Sequence, residues 1–128
     1  MVLDTSAIVA ILGDELERER FVRLVAGDEV RLLSAVSRVE CTCLIEGRKR
    51  EAGRAELNLF LREAGIEIAA VTAEQAEIAC EAFRRFGRGR HPAGLNIGDT
   101  FAYALAKATG EPLLFKGEDF SKTDIDAA

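Results

Sequence analysis

Apolar residues fall into short runs that alternate with longer amphipathic segments. The short runs predict four strands, over residues 1–3, 30–33, 66–71 and 112–115. The longer segments predict helices over residues 7–12, 15–26, 34–50, 55–64, 73–86 and 97–109. Such alternation is typical of an α/β fold, so we expect a central parallel sheet of four or five strands with helices on both faces.

Capping and turn residues define several of the boundaries. Thr72 and Gln75 have the spacing of a capping box, and Asn96 is a natural N-cap for the last long helix, with Gly110 beyond its end. We expect Gly53 to end the third helix and residues 87–94 to form the one long loop. The segment 7–12 stays open, because its β-branched residues also suit a longer broken strand.

The length and composition bound the class of protein. A chain of 128 residues has the size of one domain, here residues 1–128, and its 48% apolar and 30% charged content favours a globular fold. The longest apolar runs have six residues, far below the roughly 18 that a membrane helix needs. No basic residue precedes Arg18, so the start lacks the pattern of a secretion signal and we expect a cytoplasmic protein.

Cysteine and histidine offer little chemistry. Cys41 and Cys43 lie two positions apart in a predicted helix and so point to different faces, while Cys80 is distant and the single histidine is His91. We therefore expect buried, hydrophobe-like cysteines and neither a zinc site nor a histidine-based nuclease.

Acidic residues lie at the ends of several predicted elements. Asp4 follows the first strand and Asp119 follows the last, so both are expected at the carboxyl edge of the sheet. Glu40 and Asp99 lie in the first turns of predicted helices, three residues after Ser37 and Asn96. We expect these two helices to begin near the opposite edge, so that a crossing helix or a climbing loop must bring the acids together.

Each acid also has an ordinary interpretation as a helix cap. Asp4 and Asp99, however, lie within the apolar stretches MVLDTSAIVAIL and LNIGDTFAYALA, where an ionised group requires a partner. Converging acids raise one another's pKa unless a cation neutralises them, and all-oxygen ligation favours Mg²⁺ or Mn²⁺.

The charge distribution bears on a nucleic-acid partner. The net charge of −5 and the pI of about 5.0 argue against one, but Arg84, Arg85, Arg88 and Arg90 cluster beside the long loop. A second basic run covers residues 48–50. Either run could be a solvated face or could bind RNA phosphates, and two bound divalent ions would bring the net charge to about −1.

Three segments carry a resemblance to a known family. MVLDTSAIVAIL, SAVSRVECTCLIEGRK and above all GLNIGDTFAYALAKATGEPLLFKGEDFSKTDI resemble PIN-domain ribonucleases, specifically the VapC-type toxins of bacterial toxin and antitoxin pairs. The resemblance covers nearly the whole chain. It implies a PIN-like domain that hydrolyses RNA phosphodiester bonds with the help of Mg²⁺.

The resemblance also implies roles for particular residues and partners. The metal-binding acids would be Asp4, Glu40 and Asp99, with a fourth acid after the last strand, for which we favour Asp119 over its neighbour Glu118. It further implies a hydroxyl near the first acid, either Ser6 or Thr5, of which we expect Ser6 to bind substrate. The implied partners are a VapB-type antitoxin and a second copy in a homodimer.

Some alternatives stay open from the sequence. Strand-end acids with Lys116 also suit a metal-dependent phosphohydrolase, and the same fold could be a non-catalytic module that binds RNA or protein. The apolar segment 7–12 with Phe21, Leu24 and Val25 could form an antitoxin groove or belong entirely to the core.

Overall fold

A four-stranded parallel sheet organises the chain, of which the computed structural model describes all 128 residues. The strand order is β3-β2-β1-β4, so the first strand lies in the interior of the sheet. The strands are β1 (Val2–Leu3), β2 (Leu32–Ser34), β3 (Glu67–Ala69) and β4 (Leu113–Leu114). This confirms the predicted α/β class.

Five α-helices and one short 3-10 helix complete the fold. They are α1 (Thr5–Leu12), α2 (Arg18–Gly27), α3 (Ala35–Glu63), α4 (Ala73–Phe86), α5 (Ile97–Thr109) and the 3-10 helix Phe120–Lys122. No helix is long and apolar enough to cross a membrane. The open question over segment 7–12 is settled as helix, capped at its start by Asp4.

The strands pack helices on both faces because successive strand side chains point in opposite directions. Leu3 and Leu114 join the core formed with α1, α2 and α3, whereas Val2 and Leu113 join the core formed with α4 and α5. Since all four are buried, β1 and β4 are apolar on both sides. This two-sided burial is the reason that these strands are continuous apolar runs without alternation.

The sequence predicts two helical segments, 34–50 and 55–64, and α3 consists of two such segments with the break at Arg50, so only the assignment of the end to Gly53 is wrong. Helix α3 runs from Ala35 to Glu63, and its only non-helical residue is Arg50, with φ 53° and ψ −132°, where the axis kinks. Gly53 lies buried beyond the kink, and a Cβ there would lie 2.7 Å from the carbonyl oxygen of Ile45. Gly53 therefore permits the two segments of α3 to pack closely and does not end a helix.

The cysteine prediction is right for one residue and wrong for two. Cys41 is buried in the core, but Cys43 and Cys80 are exposed. Cys43 lies two residues from Cys41 on the same helix and faces solvent for that reason.

Candidate active site

Asp4 is the most buried acid of the site, with 3% of its surface exposed. It follows β1 directly and caps α1, and its Oδ2 accepts hydrogen bonds from the Ser6 amide at 2.9 Å and the Ser6 hydroxyl at 2.5 Å. Its other oxygen, Oδ1, is buried without any hydrogen-bond partner. Burial raises the pKa of Asp4, although its hydrogen bonds with Ser6 oppose this shift.

The Ser6 hydroxyl is committed to holding Asp4. It donates to Asp4 and accepts a hydrogen bond from the backbone amide of Lys116 at 3.0 Å, which joins the loop after β4 to the start of α1. Ser6 therefore fixes the orientation of the first acid. Its contact with substrate stays a prediction.

Glu40 reaches the site because α3 begins directly where β2 ends. The N-cap is Ser34, whose hydroxyl accepts from the amide of Val36, so the alternative interpretation of Glu40 as a capping residue three positions after Ser37 is wrong. The expectation that this helix begins at the opposite edge is also wrong, because a helix that continues a parallel strand without a loop begins at the carboxyl edge. No crossing is needed to bring Glu40 there.

The Glu40 carboxylate lies between α1 and α5. Its Oε2 accepts from the Thr5 hydroxyl at 3.0 Å, and the carboxylate contacts Gly98 in the first turn of α5. Burial raises the pKa of Glu40, opposed by the Thr5 hydrogen bond and reinforced by the charge of Asp4.

Asp99 belongs to a complete capping box at the start of α5. Its Oδ2 accepts from the Asn96 amide at 2.9 Å, while the Asn96 Oδ1 accepts from the Asp99 amide at 2.9 Å. Burial raises the pKa of Asp99 to about 6, and the charges of Asp4, Glu40 and Asp119 contribute to this rise. The loop 87–95 places the start of α5 beside the other acids. This is the climbing loop expected from the sequence as one of two ways to bring Asp99 to them.

The residue predicted as the fourth acid, Asp119, lies after β4. Asp119 precedes the 3-10 helix, makes no capping hydrogen bond and is exposed. Its charge contributes to the raised pKa of Asp99. The choice of Asp119 over Glu118 stays a prediction.

Asp4, Glu40 and Asp119 lie close enough to Asp99 for their charges to raise its pKa, but the four acids do not form a complete set of metal ligands. No three acidic side chains lie close enough together to hold one ion. Asp4, Glu40 and Asp99 each direct one oxygen to a local donor and keep the second oxygen unused by it. None of these three forms an ion pair with a Lys, Arg or His side chain, and Asp4 Oδ1 has no partner at all. The donor set therefore fits a divalent cation, to which the second oxygens could turn.

The four predicted RNA-binding arginines are all exposed but differ in their contacts. Arg84 pairs with Glu81 at 3.2 Å, and Arg85 pairs with Asp124 at 3.3 Å and lies over the Phe86 ring. Arg88 and Arg90 form no ion pair, although Arg90 lies over the Phe83 ring. Their loop is closed by hydrogen bonds between Arg88 and Leu95 and between Leu95 and Phe86, one residue before Asn96.

In the second basic run, Lys49 has a structural role. Its ammonium donates to the carbonyl of Leu12 at 2.9 Å and to Glu56 at 2.8 Å, which ties α3 to the end of α1. Arg50 occupies the kink. This run is therefore a weaker candidate for phosphate binding than the loop 87–94.

Sequence reasoning missed two contributors to the site. The amide of Lys116 holds Ser6, which no sequence pattern indicates because any residue supplies an amide. The close contact of Gly98 with Glu40 was also missed, although a glycine inside the first turn of a helix is a detectable signal, since alanine is normally favoured there.

Comparison with known proteins places the chain in a family. The PIN domain family model matches residues 1–126. Ribonuclease VapC30 of Mycobacterium tuberculosis is 54% identical over 125 residues, which cover 98% of this chain and 95% of that protein. Ribonuclease VapC of Mycolicibacterium smegmatis is 54% identical over 127 residues, which cover 99% and 98%. The chain belongs to the PIN-domain family and, within it, to the VapC ribonucleases.

Solved structures agree on the fold. Mycobacterium tuberculosis VapC20, described as a sarcin-ricin loop cleaving toxin, matches with a TM-score of 0.79 at 19% identity, over 99% of this chain and 97% of that one. VapBC2 from Rickettsia felis, solved with a DNA fragment from its promoter, matches with a TM-score of 0.76 at 17% identity, over 99% and 96%. The predicted PIN-like architecture is confirmed.

The raised pKa of Asp99 predicts a pH-dependent effect of Asp99→Asn on metal-free protein. The folded-state pKa of Asp99 is about 6, above its ordinary value of 3.8. The protonated carboxyl therefore contributes fully to the free energy of unfolding below pH 3.8, and this contribution is lost as the pH rises through 6. Asparagine does not titrate and can still accept from the Asn96 amide. The melting temperature of Asp99→Asn, measured by thermal unfolding in chelator, should therefore rise relative to that of the wild type as the pH is raised from about 4 to about 7.

The matched control is Glu29→Gln, at an exposed acid in the loop before β2. Its melting-temperature difference from wild type should change little over the same pH range. A flat difference for Asp99→Asn would contradict the raised pKa.

Proposed function

We propose that this chain is a cytoplasmic, Mg²⁺-dependent endoribonuclease toxin, with Mn²⁺ as an alternative ion, whose site consists of Asp4, Glu40, Asp99 and Asp119. The observation that carries the proposal is the buried, unpartnered Oδ1 of Asp4 among acids that no basic side chain neutralises. Buried charge of one sign requires a counter-charge, which a divalent ion supplies. The relatives that are 54% identical are named ribonucleases, which supports RNA as the substrate.

The residues of the chain prepare the site for hydrolysis. Ser6 orients Asp4 and Thr5 orients Glu40, while the capping box fixes one oxygen of Asp99 and leaves the other free. A bound divalent ion would polarise the phosphate and lower the pKa of the attacking water. No side-chain nucleophile is needed, and the only histidine bonds to the Ala93 amide within its own loop.

Two alternative functions are less well supported. A phosphohydrolase would require the Lys116 ammonium at the acids, but it pairs with Glu15 and with Glu17, the latter at 3.2 Å. A non-catalytic RNA- or protein-binding module gives no reason for uncompensated buried carboxylates. Metal-dependent cleavage separates both alternatives from the proposal.

The first test is RNA cleavage by Asp4→Asn and Asp99→Asn. Each variant should lose about 10²-fold or more of the cleavage rate, because each removes charge that holds the ion, while circular dichroism should show an intact fold. Wild-type protein should cleave defined RNAs with Mg²⁺ or Mn²⁺ and stop in excess chelator. Asp14→Asn, at an exposed acid paired with Arg18, should retain full activity.

Cleavage that persists in excess chelator would overturn the metal mechanism. Full activity of both Asp4→Asn and Asp99→Asn would show that the acids are not the site.

Arg84, Arg85, Arg88 and Arg90 are proposed to bind the RNA backbone. Of these, Arg88 and Arg90 form no ion pair with an acid. Replacing both with alanine should weaken binding and reduce the slope of log Kd against log salt by about 0.7 for each phosphate that the variant no longer neutralises. Binding should be measured in the Asp4→Asn background, where the RNA stays intact. The pair Arg84 and Arg85 should contribute less, because each is already paired with an acid.

The control for this charge change is the double variant Arg20→Ala with Arg23→Ala, at two exposed positions on α2. It should leave the salt slope unchanged. An equal effect of both double variants would mean that the loop is an ordinary solvated face.

An antitoxin is proposed to bind the face formed by α1, α2 and α3. Phe21 and Val25 belong to the core, which decides the open question between groove and core for these two residues. Other apolar residues remain available there: Leu16 is fully exposed, and Val22 and Leu59 are about half exposed. A basic side chain of the antitoxin would pair with the acids in place of the metal.

This competition predicts that antitoxin and magnesium exclude each other at the acids. The complex purified from cells should not cleave RNA, and raising the magnesium concentration should weaken the antitoxin's hold on the acids, measured by exchange of labelled antitoxin. Unimpaired RNA cleavage by the complex would contradict this mechanism of inhibition.

A homodimer is also proposed. An apolar surface beside Glu40 includes Ile97 at 76% exposure and Val39 at 62%, together with Ala35, Val36 and Phe101. Light scattering should give twice the 13.9 kDa of one chain, and Val39→Lys with Ile97→Lys should give one chain. A monomeric wild type would contradict the proposal.

A further inference from the structure

We infer that Gly98 is a positioning residue for Glu40: the missing side chain at position 98 creates the space in which the Glu40 carboxylate lies beside Asp99. The inference rests on the proposed metal site. It assigns a function to a residue that has no side chain and that neither binds metal nor titrates.

The backbone conformation of Gly98 does not require glycine. The positive-φ glycines of the chain are Gly65, Gly89, Gly94, Gly110 and Gly117, and Gly98 is not among them. It lies in the first turn of α5 with an ordinary helical conformation, where alanine is the more favourable residue. Some contact outside the helix backbone must therefore explain the glycine.

That contact is the carboxylate of Glu40. A Cβ built on Gly98 would overlap three atoms of this side chain, Oε1, Cδ and Oε2, and these are its three nearest neighbours. The overlapping atoms are the far end of a flexible side chain and not backbone. A methyl group at position 98 would therefore displace the carboxylate.

The position that Gly98 permits is held from the other side by Thr5. The Thr5 hydroxyl donates to Glu40 Oε2 at 3.0 Å, so the carboxylate is confined between α1 and the first turn of α5. There it faces the positive end of the α5 dipole and lies close enough to Asp99 to raise the pKa of that acid. Without this confinement, repulsion from Asp4 and Asp99 would favour a Glu40 rotamer directed away from both.

The test compares Gly98→Ala with a matched glycine, Gly47→Ala. Gly47 lies on the exposed side of α3, and a Cβ there would meet nothing within 4 Å. Both substitutions are also made in a Glu40→Ala background, which removes the overlapping carboxylate. The readouts are the melting temperature in chelator, the Kd for Mn²⁺ by titration calorimetry, and RNA cleavage.

Gly98→Ala should remain folded, bind Mn²⁺ about 10-fold or more weakly and lose cleavage in proportion, as expected when a residue that orients a metal ligand is changed. Gly47→Ala should leave the Mn²⁺ affinity and cleavage unchanged. In the Glu40→Ala background, Gly98→Ala should weaken Mn²⁺ binding no further. Its melting temperature there should rise as much as that of Gly47→Ala, because only the helix-propensity gain remains.

Wild-type Mn²⁺ affinity in Gly98→Ala would overturn the inference, as would an equal loss of affinity with and without Glu40. If the wild type binds Mn²⁺ but cleaves no RNA, the proposed function fails and the affinity comparison still decides the inference. If the wild type binds no Mn²⁺, the melting temperatures decide it: a smaller gain from Gly98→Ala with Glu40 present supports the inference, and equal gains overturn it.

Discussion

Repulsion among carboxylates at one edge of a parallel sheet is the constraint on which this structure depends. Asp4, Glu40, Asp99 and Asp119 come from four separate segments of the chain, and burial combined with their mutual charge raises the pKa of Asp99 to about 6. No basic side chain relieves the three most buried of them. The fold therefore maintains an unfavourable charge arrangement that a divalent ion would convert into a favourable one.

Local hydrogen bonds allow the metal-free chain to tolerate this arrangement. Asp4 caps α1 and Asp99 caps α5, so each carboxylate uses one oxygen for helix stability and keeps the other available. Capping and metal binding are thus compatible functions of the same side chain. The capping interpretation that the sequence offers for these two acids is correct without excluding a site.

Particular residues show how far the sequence could predict this structure. The alternation of short apolar runs with amphipathic segments predicts the parallel sheet. Thr72 and Asn96 locate two helix starts within one residue. The apolar surroundings of Asp4 and Asp99 identify them as candidates. The start of α3 after Ser34 and the break near Arg50 also follow from the sequence. The sheet edge at which α3 begins and the role of Gly53 do not, because they depend on β2 continuing directly into α3 and on Gly53 packing against Ile45.

The most direct measurement is a crystal structure of the chain grown with Mn²⁺, with the ion located by anomalous scattering. We expect Mn²⁺ bound by Asp4 Oδ1 and carboxylate oxygens of Asp99 and Glu40, with Asp119 in its coordination sphere or bound to its water. Mn²⁺ located away from Asp4, or no anomalous peak at this edge of the sheet at saturating concentration, would show that these acids do not form a metal site.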